Sequence, residues 1–267
     1  MLRPPNEKLS RTVLLHGIPF HAFTEKKTCE EILRGMREDR GGFVITANVD
    51  HLFRSRRGES YREIMGKADL IVADGMPLVW ASRLQGTPLP ERVAGSSMCY
   101  SLSEALAREG RTLYLLGGNP GVAERAAKIL EGRYPGLRVV GTCCPDYGFE
   151  DDPASLNRIL AHLIEMQPDM VYVALGSPKQ EILISQFRSS LPKAWWMGVG
   201  IGLSFVTGEV KRAPVWMHRL GMEWMHRLYQ EPNRLAKRYL FYGLPFGLEL
   251  FACSAWNRIR GVGYDSY

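Results

Sequence analysis

Gly42-Phe43-Val44-Ile45-Thr46-Ala47-Asn48-Val49-Asp50-His51 and Asp69-Leu70-Ile71-Val72-Ala73-Asp74-Gly75-Met76-Pro77 decide the fold. Each is a short apolar, β-branched run that ends in polar residues. Such runs, alternating with helical stretches, read as strands of a parallel sheet with crossover helices. The carboxyl ends of these strands share one edge, where ligands bind. This reading sets Thr46 and Asp74 side by side at that edge, far apart as they are in sequence. Asp74 has two readings here. It is either an active-site carboxylate or an N-cap for a helix beginning near Pro77, since capping residues and first-turn prolines are common.

The same alternation runs along the chain. Strands are expected at 12–15, 42–46, 69–73, 112–116, 137–141, 170–174 and 195–199. Helical patterns fall at 30–36, 97–108, 120–130, 154–166 and 178–187. This is the α/β, doubly wound class with a mostly parallel sheet.

The 267 residues suffice for one large α/β domain with an appendage. Apolar content of 45% and charged content of 23% are those of a soluble globular protein. The five cysteines, Cys29, Cys99, Cys143, Cys144 and Cys253, show no CxxC spacing and read as reduced thiols. The N-terminal residues lack the apolar core of a signal peptide. Residues 239–256 are apolar and aromatic, but Gly243, Pro245, Gly247 and Glu249 suit an interfacial or packed helix better than a spanning one.

Net charge is +6, and residues 211–238 hold +5 of it. Trp216, Met217, Leu220, Trp224, Met225 and Tyr229 are interleaved with those cations. A helical, basic and aromatic appendage over 210–267 therefore follows a core over 1–209. It reads as facing an anionic membrane surface, or as a helical pair packed on the core; the adjoining aromatic stretch favours the membrane.

Several turns carry chemistry. Gly117-Gly118-Asn119-Pro120-Gly121 lies between a strand and a helix. Glycines there let backbone amides approach phosphate, although such turns also arise for steric reasons. Lys179 and Gln180 open a helix after the strand at 170–174. A cation at a helix N-terminus suggests an anionic ligand or an exposed stem, while the Gln180 amide suits sugar hydroxyls. Glu181 reads as charge complementarity with the helix dipole. Arg92 precedes a turn and a helix and offers a planar fork for phosphate or carboxylate. The six histidines show no HExxH or HxH spacing, so no metal site is expected.

Taken in order, several blocks resemble the WecG/TagA/CpsF family of glycosyltransferases (glycosyltransferase family 26). They are Thr46 to His51, Ala73 to Pro77, Pro90 to Gly95, Leu116-Gly117-Gly118, Gly176 to Glu181, Arg212-Ala213-Pro214, Leu220 to Leu228 and Glu231 to Arg234. The resemblance covers roughly residues 10 to 245. It implies a Rossmann-like core and an inverting, metal-independent transferase with no cofactor. The implied reaction moves a sugar from a UDP-sugar donor, N-acetylmannosamine-type or another hexose, to an undecaprenyl-diphosphate-linked (polyprenyl) saccharide. The implied place is the cytoplasmic face of the plasma membrane, bound peripherally. By motif position Asp74 matches the catalytic base and Thr46 the pocket threonine beside it. Arg92 and Gln180 match further active-site positions. The basic C-terminal region matches an appendage that touches the membrane and helps close the site.

Candidate substrate-binding residues are thus Asn48, Arg92, Gly117, Gly118, Lys179, Gln180, Arg212, Arg227 and Arg234. Ser97 and Ser204 depart from the family pattern, which often has acidic residues there; this bears on which hydroxyls are recognised. The donor sugar, the final glycan and homo-oligomer formation are left open. Two other classes compete. A nucleotide-dependent oxidoreductase is weakened by the absence of GxGxxG after the first strand. A basic nucleic-acid-binding module lacks any accompanying signature, so no nucleic acid is expected as partner.

Overall fold

The computed structural model describes residues 11–214, 217, 222–230, 232–261 and 264–265. The chain starts with β1 (Thr12–Leu15) and β2 (Ile18–His21), then α1 (Glu25–Arg37) and β3 (Gly42–Ala47). Helices α2 (Val49–Arg57) and α3 (Glu59–Gly66) lead to β4 (Leu70–Ala73), which is followed by α4 (Met76–Gln85) and α5 (Gly95–Arg108). Next come β5 (Thr112–Gly117), α6 (Val122–Arg133), β6 (Arg138–Cys143), α7 (Pro153–Met166) and β7 (Met170–Ala174). Helix α8 (Lys179–Phe187), β8 (Trp195–Gly198) and α9 (Gly202–Thr207) complete the core.

Six strands form a parallel sheet in the order β4-β3-β8-β7-β5-β6. Strands β3, β4, β7 and β8 are buried at every position, as expected of strands covered on both faces. One apolar layer joins the sheet to α2, α3, α4, α7 and α8. The opposite layer joins it to α1, α5, α6 and α9. The sheet is therefore doubly wound and Rossmann-like in architecture.

One expected strand lies elsewhere. Residues 12–15 are not in the parallel sheet; β1 forms an antiparallel hairpin with β2. Two turn residues with positive φ, His16 at 53° and Gly17 at 80°, join them. That is the two-residue turn whose twist matches a hairpin. The hairpin lies beside β4, the edge strand, and the Ile71 amide donates to His21 Nδ1 at 3.1 Å.

The C-terminal helix Leu244–Arg260 packs on α4, and Phe246 and Leu250 are buried within the first apolar layer. A short strand, Tyr264–Asp265, pairs with β1. Phe241, Leu248, Trp256 and Ile259 remain exposed. Among the described residues, no helix is long and apolar enough to cross a membrane.

Candidate active site

The crevice forms where the chain leaves adjacent strands toward opposite faces. After β3 it turns into α2 on one face; after β8 it turns into α9 on the other. Such a divergence between neighbouring parallel strands opens a ligand site at their carboxyl ends.

Strands β3 and β4 are neighbours, as expected, but the register pairs Thr46 with Val72 and Ala47 with Ala73. Asp74 thus lies beyond the last rung, and its amide donates to the Ala47 carbonyl at 2.7 Å. Its lateral neighbour is the Asn48 position rather than Thr46. Strand alternation still aims Thr46 and Asp74 toward the same face, the one covered by α5. Asp74 is not the N-cap residue of α4; Gly75 is.

Thr46 is buried under the first residue of α5. A Cβ on Gly95 would sit 2.9 Å from both Thr46 Oγ1 and the Gly198 carbonyl. Helix α5 begins there after Ala94 with no side-chain cap. Its N-terminal partial positive charge therefore faces the crevice.

Arg92, in the loop before α5, pairs with Glu223 at 2.7 Å, both side chains being about 15% exposed. Burial works against the Arg92 charge, but Asp74 and Glu223 outweigh it and hold the guanidinium above its ordinary value. Arg212 donates to Ser97 Oγ at 2.5 Å and lies 4.0 Å from the same Glu223 carboxylate. Its Nε is buried without a hydrogen-bond partner among the described residues. The serine that departs from the family pattern is thus the Arg212 acceptor. Ser204 is buried in α9, where its carbonyl accepts from Val210. Beside Arg212, a groove of about 510 Å³ runs along α5 past Tyr100 and Tyr134.

On the other side of the crevice, Asn48 caps α2. Its Oδ1 accepts from the Asp50 amide, and His51 completes a capping box. Gln180 is buried, with Oε1 accepting from the Gly200 amide at 3.1 Å and Nε2 donating to Glu181 at 2.7 Å. A Cβ at Gly198 would collide with the Gln180 amide. In this structure both ends of that amide are therefore held by the protein rather than left for sugar hydroxyls.

Three candidate residues have other contacts in this structure. Lys179 bonds Glu150 and lies 5.0 Å from the Tyr147 ring. The glycine turn after β5 has a steric cause. A Cβ on Gly117 would fall 2.7 Å from the Ala174 carbonyl, and the Gly118 amide already donates to that carbonyl at 2.9 Å. No free Gly118 amide is left there for phosphate. Arg227 and Arg234 lie on the helices Glu223–Gln230 and Pro232–Ala236, but their side chains are outside the described residues.

The sequence reading missed His51, Glu181 and Glu223. Glu181, read as a helix-dipole charge, is in fact 2% exposed and faces His51. Burial alone would raise its pKa. The His51 hydrogen bond and charge, with Gln180 and Ser177, outweigh that and hold the carboxyl below its ordinary range. The histidines, which showed no metal spacing, do contribute one group that could hold an ion: His16, Glu249 and Cys253. It joins the hairpin to the C-terminal helix outside the crevice, and Arg56 already pairs with Glu249. The five cysteines are all free thiols.

These elements define a doubly wound α/β protein whose carboxyl-edge crevice combines a carboxylate, two guanidinium groups and an uncapped helix start. Residues 13–260 match the model of the glycosyl transferase WecG/TagA/CpsF family, and the chain belongs to that family. It is 32% identical over 197 residues, 74% of either chain, to an N-acetylglucosaminyldiphosphoundecaprenol N-acetyl-beta-D-mannosaminyltransferase of Bacillus spizizenii. An enzyme of the same name in Bacillus subtilis is 29% identical over 225 residues, covering 84% of this chain and 86% of that one.

Proposed function

We propose that the protein is a hexosyltransferase that moves an N-acetylmannosamine-type sugar from a UDP-sugar to an undecaprenyl-diphosphate-linked saccharide, with inversion and without a metal ion, in cell-surface polysaccharide synthesis. The names of the relatives support the acceptor class and the sugar. The observation that carries the reading is Asp74 at the carboxyl edge, flanked by Arg92 and the start of α5.

Asp74 takes the proton from the acceptor hydroxyl as that oxygen attacks the anomeric carbon. The bond from that carbon to the UDP oxygen breaks on the opposite side, which inverts the centre. UDP leaves with increased negative charge. Arg92, Arg212 and the α5 amides meet it, each donor contributing roughly 3 kcal/mol to lowering the barrier. Thr46 orients the donor. Arg227 and Arg234 are assigned to the diphosphate by their place in the family's C-terminal motifs. The groove past Tyr100 receives the acceptor saccharide.

In this reading residues 1–209 carry the chemistry, while 210–267 hold the protein peripherally on the cytoplasmic face of the plasma membrane. Mass spectrometry of products from purified protein, a UDP-sugar panel and synthetic lipid-diphosphate acceptors tests the proposal. An acceptor gaining one N-acetylhexosamine mass, undiminished in EDTA, is the expected result. No transfer from any UDP-sugar would overturn it.

A further inference from the structure

The Glu181 carboxylate is isolated from solvent yet touches three parts of the crevice wall. Its Oε1 accepts from Gln180 Nε2 at 2.7 Å and lies 3.4 Å from His51 Nε2. Gln180 in turn accepts from the Gly200 amide, in the turn after β8. His51 reaches in the other direction: its Nδ1 lies 3.3 Å from the Asn48 amide nitrogen, in the turn after β3. With Nε2–H donating to Glu181, Nδ1 is left to accept from the Asn48 amide; Asn48 Oδ1 lies 3.0 Å from the same ring nitrogen, so Asn48 faces Nδ1 with both a donor and an acceptor. Ser177, next to α8, adds a link to Tyr61 at 3.2 Å. Glu181 Oε2 has no hydrogen-bond partner among the described residues.

A carboxylate buried this deeply cannot reach an acceptor hydroxyl, so it is no rival to Asp74. Nor is it an economical way to gain stability, because desolvating an ion opposes folding. Its connections are what distinguish it. The turns after β3, β7 and β8 belong to separate crossovers, and the sheet ladder ends before each of them. Glu181 is the common acceptor through which these three turns are tied.

We propose that Glu181 is a positioning residue: through His51 it fixes the Asn48 turn beside Asp74, and through Gln180 it fixes the Gly200 turn, so that the two sides of the crevice are set for transfer. The inference rests on the transferase reading for its effect on turnover, but its structural half stands apart from that reading.

Histidine variants separate the two ring nitrogens. In His51→Gln the amide nitrogen stands near the place of Nε2 and still donates to Glu181. In His51→Asn it stands near Nδ1 and cannot reach. With full-length protein, UDP-N-acetylmannosamine as donor and a soluble lipid-diphosphate acceptor, Glu181→Gln and His51→Asn are expected to lower kcat at least about tenfold, as small misplacements in a reaction site do. KM for the donor should stay within about twofold, because the group touches no substrate. His51→Gln, which keeps the Glu181 contact alone, should lose less turnover than His51→Asn. Hydrogen exchange, read on the peptides containing Asn48 and Gly200, supplies a measure independent of activity. Both segments should lose protection in Glu181→Gln and in His51→Asn; in His51→Gln, which keeps the Glu181 contact but not the Nδ1 contact to Asn48, the Gly200 segment should keep it.

If His51→Gln and His51→Asn behave alike, or if Glu181→Gln leaves exchange at Gly200 unchanged, the positioning role is wrong. A loss confined to donor KM would also overturn it. Should Glu181→Gln fail to fold, the His51 pair decides the matter. A wild-type protein inactive with every UDP-sugar would defeat the transferase reading alone, and the exchange data would still judge the tie between the turns.

Discussion

Glu223 stands between two arginines of the crevice, 2.7 Å from Arg92 and 4.0 Å from Arg212. It begins a helix of the C-terminal region, so that region reaches the carboxyl edge of the sheet through a carboxylate. The carboxylate occupies ground that an anionic substrate would share. Glu223→Gln should therefore bind UDP several-fold more tightly in calorimetry, since two guanidinium groups lose a competing anion. It should also melt earlier, because the largely buried Arg92 loses its hydrogen-bonded carboxylate and keeps only part of its compensation, from Asp74. UDP affinity equal to or weaker than wild type would show that Glu223 holds Arg92 in place rather than competing with substrate.

Asp74→Asn should cost about 10²- to 10⁴-fold in single-turnover rate, the usual range for a lost general base. The fold should survive. Gly75, not Asp74, is the N-cap residue of α4, and the amide keeps the size and shape of the carboxylate. A large fall in melting temperature with normal specific activity would return Asp74 to a structural role.

Membrane attachment is best tested without truncation. Removing the helix Leu244–Arg260 would strip Phe246 and Leu250 from the core and unsettle α4. Phe241, Leu248 and Trp256 are more than half exposed, and Arg258 and Arg260 lie near the end of the same helix. Changing these three apolar residues to Ser should reduce flotation with phosphatidylglycerol vesicles while leaving the melting temperature nearly unchanged. Undiminished flotation would place the membrane contact elsewhere.

The thiols should divide by burial. Desolvation pushes Cys29 up to about 11 and Cys99 up to about 12. Near pH 8 both are protonated and enclosed, and the thiolate is the reactive form. Titration with a disulfide reagent should leave these two unreacted in the native protein and count five thiols only after unfolding. Rapid native labelling of Cys99 would contradict the packing of α5 on the sheet.

Most of the sheet was legible because its strands are continuous apolar runs. The strand at Met170–Ala174 lies where the pattern put it, and the starts of β3 and β5 agree as well. The hairpin was not legible. β2 contains Pro19, and its turn uses His16 in a conformation that local sequence rarely announces. The carboxyl-edge residues were identified by type and order, but not their partners. Glu181 looked like an ordinary first-turn carboxylate because its burial depends on α2, brought beside α8 by strand order. Glu223 and Arg92 meet only through the return of the C-terminal region. The steric role of Gly117 depends on Ala174 in the adjacent strand, which no local pattern displays.

His21 has a consequence for aggregation. Strand β4 ends the parallel sheet, and an open strand edge is a template for pairing with other molecules. Here the edge amide of Ile71 is taken by an imidazole nitrogen rather than by a seventh strand. That acceptor exists only while Nδ1 is unprotonated. Burial lowers the pKa of His21 from the 6.5 of a free histidine, with the Ile71 carbonyl and nearby Glu31 and Asp69 opposing. The unfolded chain then binds the proton more readily than the folded one, so this protection of the amide is complete above 6.5 and fades as pH falls through the folded value. Protonation of Nδ1 frees the Ile71 amide but offers a donor to the Ile71 carbonyl 3.3 Å away, so the imidazole guards this edge with either group.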